Sequence, residues 1–380
     1  MKYGLMSYKY TINLGNEIQS IASRRFLPEI DCYVDHEKLN KFDEAEDVKL
    51  IMNGFYLDCF DAWPPTRNIN PLLISMHFRN NDDIKKVIFS KESKDFLNDF
   101  GPVGCRDLHS VDFLNDNGVE AYFSGCLTLT LDSGSRKGYD DEVEDYIVVN
   151  LDNPEDVLPF LKGKTDRKIY VINQDFQPDY ATAFPGQIGR SLYNFTSYYS
   201  VEEKFYLAEN LLKVYENAGC VITDRLHCAL PSLALKTPVL LFNSRQNQER
   251  FNGLNNLLLT STVKEYKDNY NIFDVNNPPE NSDEYLGLRK DLIKRCRKFT
   301  GHINDSYYTV RSYNELVDKN MLMFSNQAGD TRDYIVNVLK MFEKDQKKID
   351  EQKKIIKKQR KEIEEMKNSN SWKLTHMFKK

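Results

Sequence analysis

Three short blocks place cationic or titratable side chains at the ends of apolar runs. In residues 221–242, V-I-T-D-R-L-H-C-A-L-P-S-L-A-L-K-T-P-V-L-L-F, Arg225 and His227 lie two residues apart where an apolar run gives way to a helical pattern. The block reads as strand, sharp turn, helix, turn and second strand. A helix start carries unpaired N–H groups and partial positive charge, so the pair suits an anion such as a phosphate or a carboxylate. In residues 101–107, G-P-V-G-C-R-D, Arg106 emerges just before a helix starting near Leu108, and its fixed fork of N–H donors suits the same ligands. Residues 13–20, N-L-G-N-E-I-Q-S, lead from a strand over residues 3–7 into a helix beginning near Asn16. There Gly15 allows close approach of backbone to a ligand, and Glu17 could accept hydrogen bonds from sugar hydroxyls or act as a base.

Each block also has a plain structural reading. Asn16 could cap its helix with Glu17 complementing the dipole, Arg106 could form a surface pair with Asp107, and Arg225 could pair with Asp224 beside a core histidine. What sets the blocks apart is recurrence, because Arg106 and Arg225 occupy matching strand-to-helix junctions in different halves of the chain.

The elements that must position these residues follow from length and pattern. A chain of 380 residues exceeds what one core usually organises, which makes about two domains the expectation. Hydrophobic residues at 41% and charged residues at 29% describe an ordinary globular composition. Short β-rich runs alternate with amphipathic stretches to about residue 310, the mark of an α/β architecture with parallel sheets. Strands are expected over residues 47–53, 71–77, 101–106, 119–131, 146–151 and 168–173, with a short helix over 108–117 closed by Gly118. A long helix is expected over 201–218 with an apolar stripe of Phe205, Leu207, Ala208, Leu211, Leu212, Val214 and Tyr215.

The polar, acidic stretch 133–145 reads as a linker. The expected division is therefore an N-terminal Rossmann-like domain, 1–132, and a C-terminal Rossmann-like domain, 146–328, facing one another across a cleft as in the two-domain GT-B-like glycosyltransferase fold. Ligand sites in open parallel sheets lie at the carboxyl ends of strands. Residues 329–380 form a charged tail, where Ile335, Phe342, Ile349, Ile356 and Ile363 recur every seven residues but polar companions leave only a marginal coiled-coil seam. From residue 343 onward this long helix carries 13 Lys and Arg against 7 Asp and Glu, a net +6 on a chain of −5, so the remainder carries −11. Its basic end, with Trp372, Leu374, Met377 and Phe378, suits an anionic membrane surface or a partner's groove, and equally a solvated terminus.

Composition also excludes classes. The seven cysteines show no C-x-x-C pair and no spacing with histidine that would bind metal, so reduced thiols in a cytoplasmic protein and no metal centre are expected. No secretory leader is expected from M-K-Y-G-L-M-S-Y, and no run approaches ~18 apolar residues. An acidic body whose basic residues gather in the tail does not fit nucleic-acid binding.

Taken in order, N-L-G-N-E-I-Q-S-I-A, I-M-N-G-F-Y, W-P-P, P-L-L-I-S-M-H, G-P-V-G-C-R-D, Y-F-S-G-C-L-T-L-T-L and the block around T-D-R-L-H resemble the polysaccharide pyruvyl transferase family over roughly residues 3–260. The resemblance implies a GT-B-like fold and transfer of an enolpyruvyl-derived group from phosphoenolpyruvate to a sugar, forming a pyruvate ketal. It implies that Arg106, Arg225 and His227 line the phosphoenolpyruvate site, with His227 as acid or as phosphate ligand, and that no cofactor beyond this co-substrate is needed. Gly15, Asn16, Glu17, Asn53 and His77 are the acceptor-side candidates, although relatives often carry an acidic residue where this chain has Asn16. The tail sequence S-N-S-W-K-L-T resembles endings of bacterial surface-polysaccharide glycosyltransferases, which implies a lipid-linked acceptor at the inner membrane face. The competing expectations are a nucleotide-sugar glycosyltransferase of similar fold and a non-catalytic scaffold of a polysaccharide pathway.

Overall fold

A computed structural model of the chain describes residues 1–8, 11, 13–56, 62–132, 145–172, 201–243, 249–303 and several positions between 354 and 361. The chain forms two compact units, 1–326 and 327–380, and both sheets belong to the first. The expected linker, apart from Asp145, and the tail heptads fall outside the described residues, while the described positions between 354 and 361 are helical.

Apolar runs without alternation produce strands buried on both faces, which is how parallel sheets covered by helices are built. Strands β1 (Lys2–Ser7), β2 (Cys32–Asp35), β3 (Val48–Tyr56), β4 (Ile69–Phe78), β5 (Val103–Cys105) and β6 (Ala121–Phe123) form a parallel sheet in the order β2-β1-β3-β4-β5-β6. Strands β7 (Tyr146–Asn150), β8 (Lys168–Val171), β9 (Cys220–Thr223), β10 (Val239–Phe242) and β11 (Leu259–Ser261) form a second, in the order β11-β10-β9-β7-β8. Each sheet is doubly wound, with its strand order reversing between its first and third strands. The switch points are therefore β1/β3 and β7/β9, where ligands bind in such sheets.

Nine described helices flank the sheets: α1 (Gly15–Arg24), α2 (Asp82–Ile88), α3 (Lys91–Asp99), α4 (Leu108–Asn115), α5 (Leu158–Lys162), α6 (Val201–Asn217), α7 (Leu226–Ala234), α8 (Val263–Asp268) and α9 (Leu286–Thr300). All seven apolar positions expected along α6 are buried, and each contributes roughly 1.5–3 kcal/mol, less for alanine. Lys204, Glu209, Asn210, Lys213 and Glu216 of the same helix are buried as well, since α6 packs against α1. There Arg24 meets Glu209 at 2.5 Å and Lys204 Nζ donates to the carbonyls of Tyr8 and Thr11 at 2.6 and 2.7 Å. These contacts tie the helix that precedes β9 to the turn that follows β1.

Three expectations need correction. Residues 119–131 are not one strand, because β6 ends at Phe123 and Leu127–Thr130 wind into a 3-10 turn. Arg25, Arg289 and backbone donors take up the carbonyls at its end. Asn16 does not cap helix α1, which begins at Gly15: the Asn13 side chain accepts from the Gly15 N–H at 2.8 Å and supplies the turn. Arg106 and Asp107 are no surface pair, for both are buried.

The candidate anion site between the two sheets

A bulge prepares the first sheet for its role. The β3/β4 register shifts between Met52 and Gly54, Gly54 has φ +131°, and Ser75 has φ 56°. A Cβ on Gly54 would meet the Tyr8 hydroxyl at 2.6 Å, so glycine is required there. Ser75 holds its left-handed backbone, at a cost of roughly 1–3 kcal/mol, through its N–H to Ser124 Oγ and its Oγ to the Gly125 carbonyl. Bulges re-aim the side chains that follow them. Here the residue two positions on is His77, whose Nδ1 lies 2.7 Å from Asp107 Oδ2.

Asp107 organises the junction after β5. Its Oδ1 caps α4 by accepting from the Ser110 N–H at 2.8 Å, its Oδ2 accepts a hydrogen bond from His77 Nδ1, and Arg106 Nε lies 3.8 Å from that oxygen. Burial opposes its charge, yet His77, Arg106 and the Ser110 N–H hold the carboxyl below its ordinary range. Burial, with the Arg106 guanidinium adding to it, lowers His77 to about 4, so the imidazole is neutral at physiological pH. The guanidinium extends past Asp107 to Gln19 Oε1 at 3.2 Å on α1 and to His227 Nε2 at 3.5 Å on α7. That last contact joins the two sheets.

His227 owes its position to the local sequence. Pro231 lacks an N–H and cannot bond the carbonyl four residues back, and at that residue, His227, the helix departs from regular geometry with ψ 17°. Arg225 stands at the N-cap position, where it has no acceptor to offer, so the first turn of α7 has no side-chain cap. Arg225 Nη2 sits 2.5 Å from Asp152, just after β7, and its Nε lies 3.8 Å from Asp224. Asp224 in turn accepts from the Asp152 N–H at 3.1 Å, which closes a charged ring over the β7/β9 switch point. Burial, then Arg106, Arg250 and His77, hold His227 well below its ordinary value.

Of the acceptor-side candidates, Gly15, Asn16, Glu17 and Asn53 lie at the first switch point, whereas His77 lies on β4 beside Asp107. Glu17 is buried on α1 with Lys204 Nζ at 3.6 Å, and burial outweighs that cation to raise its carboxyl to about 7. Asn53 is buried and donates to the Gln19 carbonyl at 2.9 Å, while Asn16 is half-buried and bonds Thr11 and Gln19. The structure thus brings Arg106, His77 and His227 together, turns Arg225 toward Asp152, and sets Glu17 and Asn53 one layer behind Gln19. Gln19, Lys204, Asp152 and Arg250 have no counterpart among the residues singled out from sequence. Two carried a signal: Gln19 follows Asn16 by one helical turn, and Asp152 directly follows a strand at a switch point.

A family model described as polysaccharide pyruvyl transferase matches residues 13–246. No curated protein matches the chain. Among solved structures, a crystal structure of UDP-N-acetylglucosamine 2-epimerase is similar at 12% identity with a TM-score of 0.40, covering 82% of this chain and 100% of that one. The family match runs from the Asn13 turn through the Arg106 junction to beyond β10, taking in well over half of the sequence and every residue that meets at the site except Arg250, and the chain belongs to the polysaccharide pyruvyl transferase family.

Proposed function

We propose that this protein transfers a pyruvyl group from phosphoenolpyruvate to two hydroxyls of a sugar in a cell-surface polysaccharide or its lipid-linked precursor, forming a pyruvate ketal. The observation that carries the reading is the Arg106–His227 contact, a buried guanidinium from one sheet meeting an imidazole at an uncapped helix start from the other. Phosphoenolpyruvate bears a phosphate and a carboxylate, and guanidinium forks with helix N–H groups match both. In this reading the second sheet holds the donor through His227, Arg225 and α7, Arg106 closes the site from the first, and Glu17, Asn53 and His77 face the acceptor.

The chemistry balances on these residues. A proton added to the methylene carbon leaves an oxocarbenium-like C2, one sugar hydroxyl attacks it, phosphate leaves, and the second hydroxyl closes the ketal. Two C–O bonds and one C–H bond form, the C=C π bond and one C–O bond break, and the hydroxyls lose two protons, one matching that gained by carbon and one leaving with phosphate. In this reading His227 delivers a proton or steadies the departing phosphate.

Incubation of the purified protein with phosphoenolpyruvate and a panel of lipid-linked and synthetic galactosides, glucosides and mannosides tests the reading. Phosphate release together with a ketal mass on one acceptor is expected. Thermal stabilisation by UDP or GDP, with none by phosphoenolpyruvate and no ketal on any acceptor, would favour a nucleotide-sugar glycosyltransferase instead.

A further inference from the structure

The orientation of His227 toward Arg106 constrains what can happen when an anion enters between them. A guanidinium only donates hydrogen bonds, so a ring nitrogen facing one must offer a lone pair. With Arg106 Nη1 at 3.5 Å, His227 Nε2 is the acceptor, and the ring is neutral with its proton on Nδ1. An oxyanion seated between the two side chains would accept from Arg106 readily. Toward Nε2 it would present one acceptor to another.

We infer that an anion binding between Arg106 and His227 brings a proton from solvent with it, converting His227 from a hydrogen-bond acceptor into a donor. The inference deepens the donor-site reading and rests on it for the identity of the anion. The charged surroundings are consistent with such a switch. From the β5–α4 junction comes Arg106, from the turn Glu249–Phe251 comes Arg250, and from β4 comes His77, neutral and committed to Asp107. Helix α1 contributes uncharged Gln19, with Glu17 engaged by Lys204 of α6, and α6 also contributes Tyr215, whose hydroxyl is raised well above its ordinary value. On α7 itself, Arg225 is balanced by Asp152 and Asp224, and burial raises Cys228 to about 12. Among the described residues, the charges that reach the ring are thus predominantly positive and disfavour the imidazolium. A dianion set against it reverses that sign.

The consequence is mechanistic as well as electrostatic. The protonation state required of an acid at the methylene carbon arises only with the donor in place, so the acid is charged by the arrival of its own substrate.

Calorimetric titration with sulfate and with phosphoenolpyruvate, at about pH 8 where neither anion itself gains protons, in buffers of different ionisation enthalpy, reads the proton directly. For the native protein the observed enthalpy is expected to change with buffer ionisation enthalpy at a slope of about one proton taken up per site, and affinity to fall about tenfold per pH unit between the free and the liganded value of His227, levelling off above the latter. In His227→Gln the slope should vanish while weaker binding persists, and in His77→Gln it should remain. A native slope near zero, a slope kept in His227→Gln, or one lost only in His77→Gln would each overturn the inference. Sulfate uptake with a proton but no binding of phosphoenolpyruvate would uphold the inference and remove the donor reading. Failure of both anions to bind would overturn both.

Discussion

Arg106 and Arg225 each leave the carboxyl end of a parallel strand just before a helix, yet the two junctions are wired differently. After β5 the next residue is Asp107, which caps α4 and leaves the Arg106 guanidinium, buried at 3% exposure, aimed between the sheets toward Gln19 and His227. After β9 the arginine itself takes the N-cap position, so α7 starts uncapped and Arg225 turns back to Asp152 and Asp224. One junction supplies a fixed cation, and the other supplies N–H groups and an imidazole with its cation already balanced. Two identical residue types at identical topological positions thus differ in the contacts they make because of their carboxylate neighbours.

Substitutions can break or sharpen that contrast. Arg106→Gln should cost the most, with phosphoenolpyruvate-dependent phosphate release falling on the order of a thousandfold, as for loss of a buried donor aimed at developing charge. Arg106→Lys should restore little, because a point charge does not replace the fork. His227→Gln is expected to lower kcat about a hundredfold with a smaller change in KM, measured on whichever acceptor forms the ketal.

Glu17 tests the layer behind the site through stability. Its carboxyl rises to about 7 in the folded protein from an ordinary 4.5, so the folded state holds the proton more tightly and stability is full below about pH 4.5. That stability is lost as the pH rises through about 7. Denaturant unfolding of native protein should show the decline and Glu17→Gln should not, the variant being more stable near pH 8 by on the order of 2 kcal/mol. The smallest effect belongs to Asp152→Asn. The pair with Arg225 is partly exposed, so a loss of about 1 kcal/mol or less in a melting experiment and less than a tenfold change in activity are expected.

Much of this arrangement was legible in the sequence, and the exceptions have physical causes. Apolar runs marked nine of the eleven strands or their neighbourhoods, because parallel strands buried on both faces need no alternation. The strands β2 and β11 left no mark, since Cys32–Asp35 is a four-residue edge strand of mixed polarity and Leu259–Ser261 is an edge strand of three residues. The stretch 119–131 read as strand because L-T-L-T alternates, whereas the Arg25 and Arg289 donors at its end are distant in sequence and gave no local sign. The Arg106 and His227 blocks stood out because glycine, arginine and histidine interrupt apolar runs there. Their meeting across the two sheets is a tertiary fact that neither block contains. Lys204 was hidden for the opposite reason, as a lysine at the start of an amphipathic helix reads as solvated until the packing of α6 on α1 buries it.

The most direct test of the site is equilibrium binding of phosphoenolpyruvate to native protein, Arg106→Gln and Arg225→Gln, each checked for its fold by circular dichroism. The expected result is that Arg106→Gln loses nearly all affinity while Arg225→Gln weakens it about tenfold, in keeping with a cation already shared with Asp152. Native-like binding by Arg106→Gln would contradict an anion site built between the two sheets.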